Sequence, residues 1–315
     1  MLQLRILVSM LPLLLVNPVA QGQDYPHKPV RIVTSEAGGG NDFVARVIAP
    51  ALAGNLRQNV IVENRSSLIA IEAVARAQPD GYTLLLPGQT LWIGPLLRKL
   101  PYDPIRDFAP ISMTSKTPSI LVVHPAVPVK SVRDLIDLAK ARPGELNYGS
   151  PALGSAQHLA PELFKAMAGV NIVHVPFKGS GPAIINLIGG QVQLMFPNLA
   201  SVATHVKSGR LRALAVTSAA PSVLAPGMPT VADTLPGYEV VDAKGMFAPR
   251  GTPAALIARI NREVVKTLNQ PDLKEAFLNA GVEVVGSTPE QFAHAIASEI
   301  TRLGKVIKDA GIRIE

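Results

Sequence analysis

The chain has 315 residues, 48% of them apolar and 17% charged, a formal net charge of +7 and no cysteine. This is a globular composition with ample area to bury, and it excludes a disulfide framework, a thiolate metal site and a cysteine-linked lipid anchor. The basic residues are scattered, and only 8 Phe, 5 Tyr and 1 Trp are available to stack on bases, so no nucleic-acid partner is expected.

The opening MLQLRILVSMLPLLLVNPVAQGQ carries one positive charge, Arg5, then an apolar run from Ile6 to Val16, then the small-residue stretch Ala20-Gln21-Gly22. It reads as a secretory signal over 1–22, cut after Ala20 or Gly22, which implies a soluble, periplasmic protein. The alternative, a buried N-terminal helix, is disfavoured by Pro12 and Pro18. No other segment reaches the ~18 uncharged apolar residues that a membrane helix needs.

Short β-rich runs at 30–34, 59–64, 82–87 and 119–124 alternate with helical spacing, first over 42–56. A second series follows, with strands at 147–150, 172–177, 192–197 and 211–218 and helices over 131–141, 156–169 and 181–190. Ser131 with Asp134 predicts a capping box, and Gly169 and Gly189-Gly190 predict helix stops. Two long amphipathic helices, 255–269 and 289–311, close the chain. The alternation predicts an α/β protein with parallel sheets.

Two loops follow strands and open helices. In EAGGGND, Glu36 to Asp42, three glycines let several backbone N–H groups approach one point at a helix N-terminus, where a carboxylate or phosphate is favoured; a tight turn that needs glycine only for its dihedrals is the other reading. Phe43 stands where GxGxxG requires its third glycine, and no GxxxxGK[ST] occurs, so nucleotide binding is not expected. The second loop, NYGSPALGSAQH, Asn147 to His158, supplies Ser150 and Ser155 beside Gly149 and Gly154. Two such loops in separate βα halves point to a cleft between domains. A Ser155–His158 catalytic pair lacks a GxSxG elbow and an orienting acid, and the six histidines show no HxH or HExxH spacing, so neither an enzyme nor a metal site is expected. No cofactor is implied.

From Tyr25 to Glu315 the chain resembles the extracytoplasmic solute receptors of tripartite tricarboxylate transporters, the Bug or TctC type. The likeness is carried by YPHKPVRIV, AGGGND, VIVENR, ARAQPDGYTLLL, LPYDPIRDFAPI, YGSPALGSAQHLAPELFK, HVPFKGSGPAIINLIGGQV, FAPRGTP, GSTPEQF and GKVIKDAGI, in that order. The resemblance implies a type II periplasmic binding protein fold, two α/β lobes around a ligand cleft, with lobe 1 at 24–124 plus 243–315 and lobe 2 at 125–242. It implies a ligand carboxylate gripped by Gly38, Gly39, Gly40 and Asn41 from one side and Ser150, Ala152, Gly154 and Ser155 from the other. His158 and the loop Phe177-Lys178-Gly179 are expected close by.

The chain departs from the family pattern at four places. Thr34, Ser35 and Glu36 replace an apolar wall; Ser66 to Ile71 replace the glycines of a third cleft loop; Pro197 replaces an aspartate; and Ala243-Lys244 replace an aromatic pair. Beside a bound carboxylate, Glu36 must point away, be protonated or meet a positive group, with Lys244 and Lys178 as candidates. The implied function is a monomeric receptor that delivers a small organic acid, an amino acid or a nitrogen-containing aromatic acid to integral membrane transporter subunits. The alternatives are an orphan or sensor protein that signals to a membrane kinase and, less favoured, a secreted hydrolase.

Overall fold

A computed structural model describes residues 25–151 and 154–312, so the leader and Ala152 lie outside the described residues. The first half of the chain alternates β1 (Val30–Thr34), α1 (Gly40–Leu56), β2 (Val60–Asn64), α2 (Ser67–Ala75), β3 (Thr83–Leu86) and α3 (Thr90–Leu97), then runs through β4 (Phe108–Pro118) into β5 (Ile120–Val123). The middle continues with α4 (Val132–Ala141), β6 (Asn147–Ser150), α5 (Ala156–Ala168), β7 (Val173–Pro176), α6 (Ser180–Ile188), β8 (Leu194–Met195), α7 (Leu199–Lys207) and β9 (Arg212–Val216). The return is β10 (Val241–Pro249), α8 (Ala254–Leu268), α9 (Pro271–Asn279), β11 (Glu283–Val284) and α10 (Pro289–Asp309).

These strands build two sheets, of order β11-β4-β10-β3-β1-β2 and β7-β6-β8-β5-β9. Each is the floor of an α/β lobe. The parallel pairing expected from the βα alternation holds for β1 with β2 and β3, and for β6 with β7 and β8. It does not hold elsewhere: β10 is antiparallel to β3 and β4, and β5 is antiparallel to β8 and β9. The cause is that β4 and β5 are one extended run broken only at Ser119. A strand that arrives straight from another sheet, without a helical crossover, is free to pair antiparallel.

Helices form where apolar residues recur three and four apart and bury one stripe. In α1 the buried stripe is Val44, Ala45, Ile48, Ala49, Leu52 and Leu56, which packs against β1 and β3. Ser131 caps α4 by accepting from the Asp134 N–H at 3.1 Å, but Asp134 returns to the Lys130 N–H rather than to Ser131, so the box is only half formed. Gly169 ends α5 with φ +63 as a left-handed cap. An aromatic group of Trp92, Phe247 and Phe292 ties β10 and α10 to α3, with Phe247 and Phe292 ring centroids 4.9 Å apart. Gly245 makes this possible, because a Cβ there would stand 2.1 Å from the Phe292 ring. Among the described residues no helix is long and apolar enough to cross a membrane.

Candidate functional site

The glycine loop leaves β1 at Thr34 and enters α1 at Gly40. It is pinned from below by Asp42, which is buried at 4% exposure and whose carboxylate takes the Gly38 N–H at 2.8 Å, the Asn64 amide at 2.8 Å and the Arg46 guanidinium at 2.8 Å. Burial pulls the Asp42 pKa up, but those three donors outweigh it and the net shift is downward, so the carboxylate stays charged. The Gly38 N–H is therefore committed to the loop itself. Gly38 has φ +79, whereas Gly39 sits at φ −81 in ordinary extended backbone, so of the two only Gly38 needs glycine for its dihedrals. Gly40 and Asn41 begin α1, where N–H groups have no intrahelical partner. Their surroundings are crowded on one side: a Cβ on Gly40 would lie 3.2 Å from Lys244 Cε and 3.6 Å from its Nζ. The buried Lys244 ammonium thus stands beside the helix start, where it pairs with Asp242 at 2.7 Å.

Glu36 meets neither candidate lysine. Its carboxylate accepts the Ser67 N–H at 3.0 Å, so it answers the positive end of α2 instead. Lys178 is exposed in the β7–α6 turn, and Gly179 precedes α6 with φ +109.

The second loop is held by imidazoles. The Gly154 N–H donates to His158 Nδ1 at 3.1 Å, and Ser150 Oγ lies 2.8 Å from His174 Nε2. His158, His174 and Tyr148 are layered, with ring centroids 4.6 Å apart for the two histidines and 4.7 Å for His174 and Tyr148. Below them Tyr148 donates to Glu162, which also pairs with Lys165 at 2.7 Å. Burial lowers the His158 pKa to about 4, and burial also lowers that of His174. An uncharged His158 with a bare Nδ1 is what the Gly154 N–H requires.

A cavity of about 340 Å³ opens between the lobes. One wall is Ser67, Leu68 and Ile71 of α2 with Gln89, Thr90, Ile93 and Leu97 at α3; Arg98, Leu100 and Tyr102 close one end, and Gly154 and Ser155 face them from the other lobe. Of the residues expected at the cleft from the sequence, Gly154 and Ser155 line it, as do Ser67, Leu68 and Ile71 of the stretch expected as a third cleft loop. The exposed Gly38, Gly39 and Gly40 form a shelf with the half-buried Asn41; Ser150 and His158 are buried members of the second loop, and the Phe177-Lys178-Gly179 turn lies against that loop, with the Phe177 N–H donating to the Ser150 carbonyl at 2.9 Å and the Gly179 N–H to the Pro151 carbonyl at 3.4 Å. Gly88, next in the chain to the cavity-lining Gln89, bridges to Lys244, and a Cβ on it would lie 3.2 Å from Asn41 Oδ1. The α3 wall was missed in the sequence. Its only signal is Gln89-Thr90, a polar pair inside the otherwise apolar run from Leu84 to Leu97. Among the described residues no group of three or more His, Asp or Glu side chains is placed to hold a metal.

The family described as the tripartite tricarboxylate transporter family receptor matches residues 44–312. Protein BugT of Bordetella pertussis is 38% identical over 92% of this chain and 92% of its own. Among solved structures, R. palustris Rpa4515 with adipate is 37% identical, with a TM-score of 0.71 over 92% of this chain and 99% of that one. A TctC solute-binding protein from Polaromonas, with no ligand, is only 26% identical yet has a TM-score of 0.83 over 90% of this chain and 99% of that one. The shape follows the ligand-free relative more closely than the adipate-bound one, although the latter is nearer in sequence. The chain belongs to the TctC family of tripartite tricarboxylate transporter receptors, periplasmic solute-binding proteins of two α/β lobes.

Proposed function

We propose that this receptor is exported by cleavage after Ala20 or Gly22, captures a small carboxylate-bearing solute between its lobes as a monomer, and delivers it to integral membrane subunits of a tripartite transporter. The observation that carries the reading is the shelf at the start of α1, where the Gly40 and Asn41 amides and the Lys244 ammonium converge next to a cavity walled by both lobes. Helix N-terminal amides with an ammonium beside them are a carboxylate subsite. Rpa4515, the adipate-bound relative, supports a carboxylate as the ligand class. Within that class, amino acids and nitrogen-containing aromatic acids are favoured over citrate, because Glu36 adds a negative charge at the rim.

Calorimetry with adipate, citrate, glutamate and nicotinate tests this. Saturable binding of at least one acid without turnover is expected, with Ser155→Ala weaker by about 0.5–1.5 kcal/mol for the lost hydroxyl contact. Absence of binding by every acid, or hydrolysis of a candidate ligand, would overturn it.

A further inference from the structure

Gly154 and Ser155 line the interlobe cavity, whereas His158 is 3% exposed and is not part of the lining. Ser155 is the N-cap of α5, and His158 is the third residue of the helix. From there its Nδ1 reaches back to accept the Gly154 N–H at 3.1 Å, where the backbone turns through φ +75. A third-position side chain that folds back to a backbone N–H ahead of its helix is the arrangement Glu or Gln makes in a capping box, here displaced by one residue. A carboxylate would be the stronger acceptor and would suit the positive end of the helix. It would also set a negative charge beside the residues that face the cavity, and like charges within ~4–6 Å disfavour each other. An uncharged imidazole accepts without adding that charge. The titratable groups around it are His174 from β7, Tyr148 from β6, and Glu162 and Lys165 from α5 itself. Burial foremost, and then His174, lowers the His158 pKa to about 4, so the ring is neutral at ordinary pH. The other end of the loop is fastened to the neighbouring ring, with Ser150 Oγ 2.8 Å from His174 Nε2 and the two histidine centroids 4.6 Å apart.

We infer that His158 is a positioning residue: as a neutral acceptor it fixes Gly154, and through it Ser155, in place to receive an anionic ligand that His158 itself does not touch. This rests on the proposed carboxylate receptor and adds what holds the second lobe's half of the site. The Gly154 N–H donates only if Nδ1 is bare, so the proton of the neutral ring sits on Nε2. A loop that samples other conformations when this bond is lost binds more weakly in proportion to the time spent away from the competent one.

The test is calorimetry with adipate, citrate, glutamate and nicotinate at a temperature where each protein is folded, on the wild type, His158→Asn, His158→Gln, His158→Leu and Ser155→Ala. The Asn oxygen falls near the place of Nδ1, the Gln oxygen falls one bond farther out, and Leu has no acceptor. For an acid that the wild type binds, His158→Asn is expected to stay within about twofold, while His158→Gln and His158→Leu weaken binding by about tenfold or more. Should the Leu variant fail to fold, the Gln variant carries the comparison. Because His158 works through the loop that presents Ser155, its loss and that of the Ser155 hydroxyl do not add: the double variant should bind about threefold or more tightly than the product of the single losses requires. In isotope-labelled protein, nuclear magnetic resonance should show a through-hydrogen-bond coupling between the Gly154 amide nitrogen and His158 Nδ1, with the ring proton on Nε2. Wild-type affinity in His158→Gln, failure of Asn to keep what Gln loses, fully multiplying losses, or a ring proton on Nδ1 would each overturn the inference and leave the carboxylate receptor standing. Binding of no acid by the wild type removes both.

Discussion

The Glu36 carboxylate lies at the Ser67 N–H, 3.0 Å away at the start of α2. The positive end of that helix is thus answered from within the chain, and Ser67 also lines the cavity. A second ligand carboxylate reaching that wall would meet a like charge. Glu36→Gln keeps an oxygen to accept from Ser67 but removes the charge. Because the side chain is exposed, the change is expected to be small: tighter binding of adipate and citrate by about 0.2–1 kcal/mol, with acids carrying one carboxylate unaffected, read by calorimetry. An equal gain for both groups, or none for either, would show that Glu36 does not screen the cleft by charge. At this scale the glycine turn between β1 and α1 was legible because Gly38 needs a left-handed conformation, while the α3 wall of the cavity was not, since only tertiary packing brings it opposite Gly154 and Ser155.

The β6–α5 turn shows how elements hold a binding loop in place with groups that titrate. Burial, the neighbouring His174 and the Lys165 ammonium lower the His158 pKa to about 4, against the opposing pull of Glu162. In the unfolded chain His158 titrates near its ordinary value of about 6.5, so between the two values the unfolded state binds more protons. The stability from an uncharged His158 is therefore complete above pH 6.5 and is lost as pH falls toward 4, at up to about 1.4 kcal/mol per pH unit. His158→Asn retains an acceptor for the Gly154 N–H and cannot titrate. Denaturant melts from pH 7.5 to 4.5 should show a shallower decline in this variant, though not a flat one, because His174 is lowered as well. Identical slopes would remove His158 from the acid response. The elements legible in the sequence were those with a clear period and a clear stop, such as α1, α4, α8 and α10. β4 and β10 escaped notice because, as crossing strands buried on several sides, they alternate poorly, and β10 is interrupted by Gly245 where Phe292 packs. The helices α2 and α3 are nearly all apolar where they face the core, which leaves no polar stripe to mark them.

At the scale of the molecule, the two sheets are joined where β4 passes into β5 and where the chain returns into β10, and both crossings meet at Thr217. Its hydroxyl accepts the Ser119 N–H at 2.8 Å, its backbone N–H donates to the Ser119 carbonyl at 2.9 Å, and its carbonyl accepts the Val240 N–H at 3.0 Å. A pair of strands stitched at one buried residue can bend together while each lobe stays rigid, which is the anatomy of hinge closure. The TM-score is higher to the ligand-free relative than to the adipate-bound one, the Gly38–Gly40 shelf is exposed, and Gly154 and Ser155 are the residues of the second loop, among those described, that line the cavity. Ligand affinity for the closed form must exceed that for the open form if binding is to shift the population, and a carboxylate touched by the α1 shelf alone gives little such difference. Under the proposed carboxylate reading, closure would supply it by bringing Ser155 across to a ligand held at the α1 shelf. Small-angle scattering with a saturating carboxylate should therefore show a smaller radius of gyration than the free protein, with each lobe's own dimensions unchanged. Replacing Thr217 by Val removes the hydroxyl that accepts from Ser119 and should alter the extent of closure before it alters affinity for the open state. Superimposable profiles with and without an acid that calorimetry shows to be bound would mean that one lobe holds the ligand by itself, and the second loop would then have no part in the site.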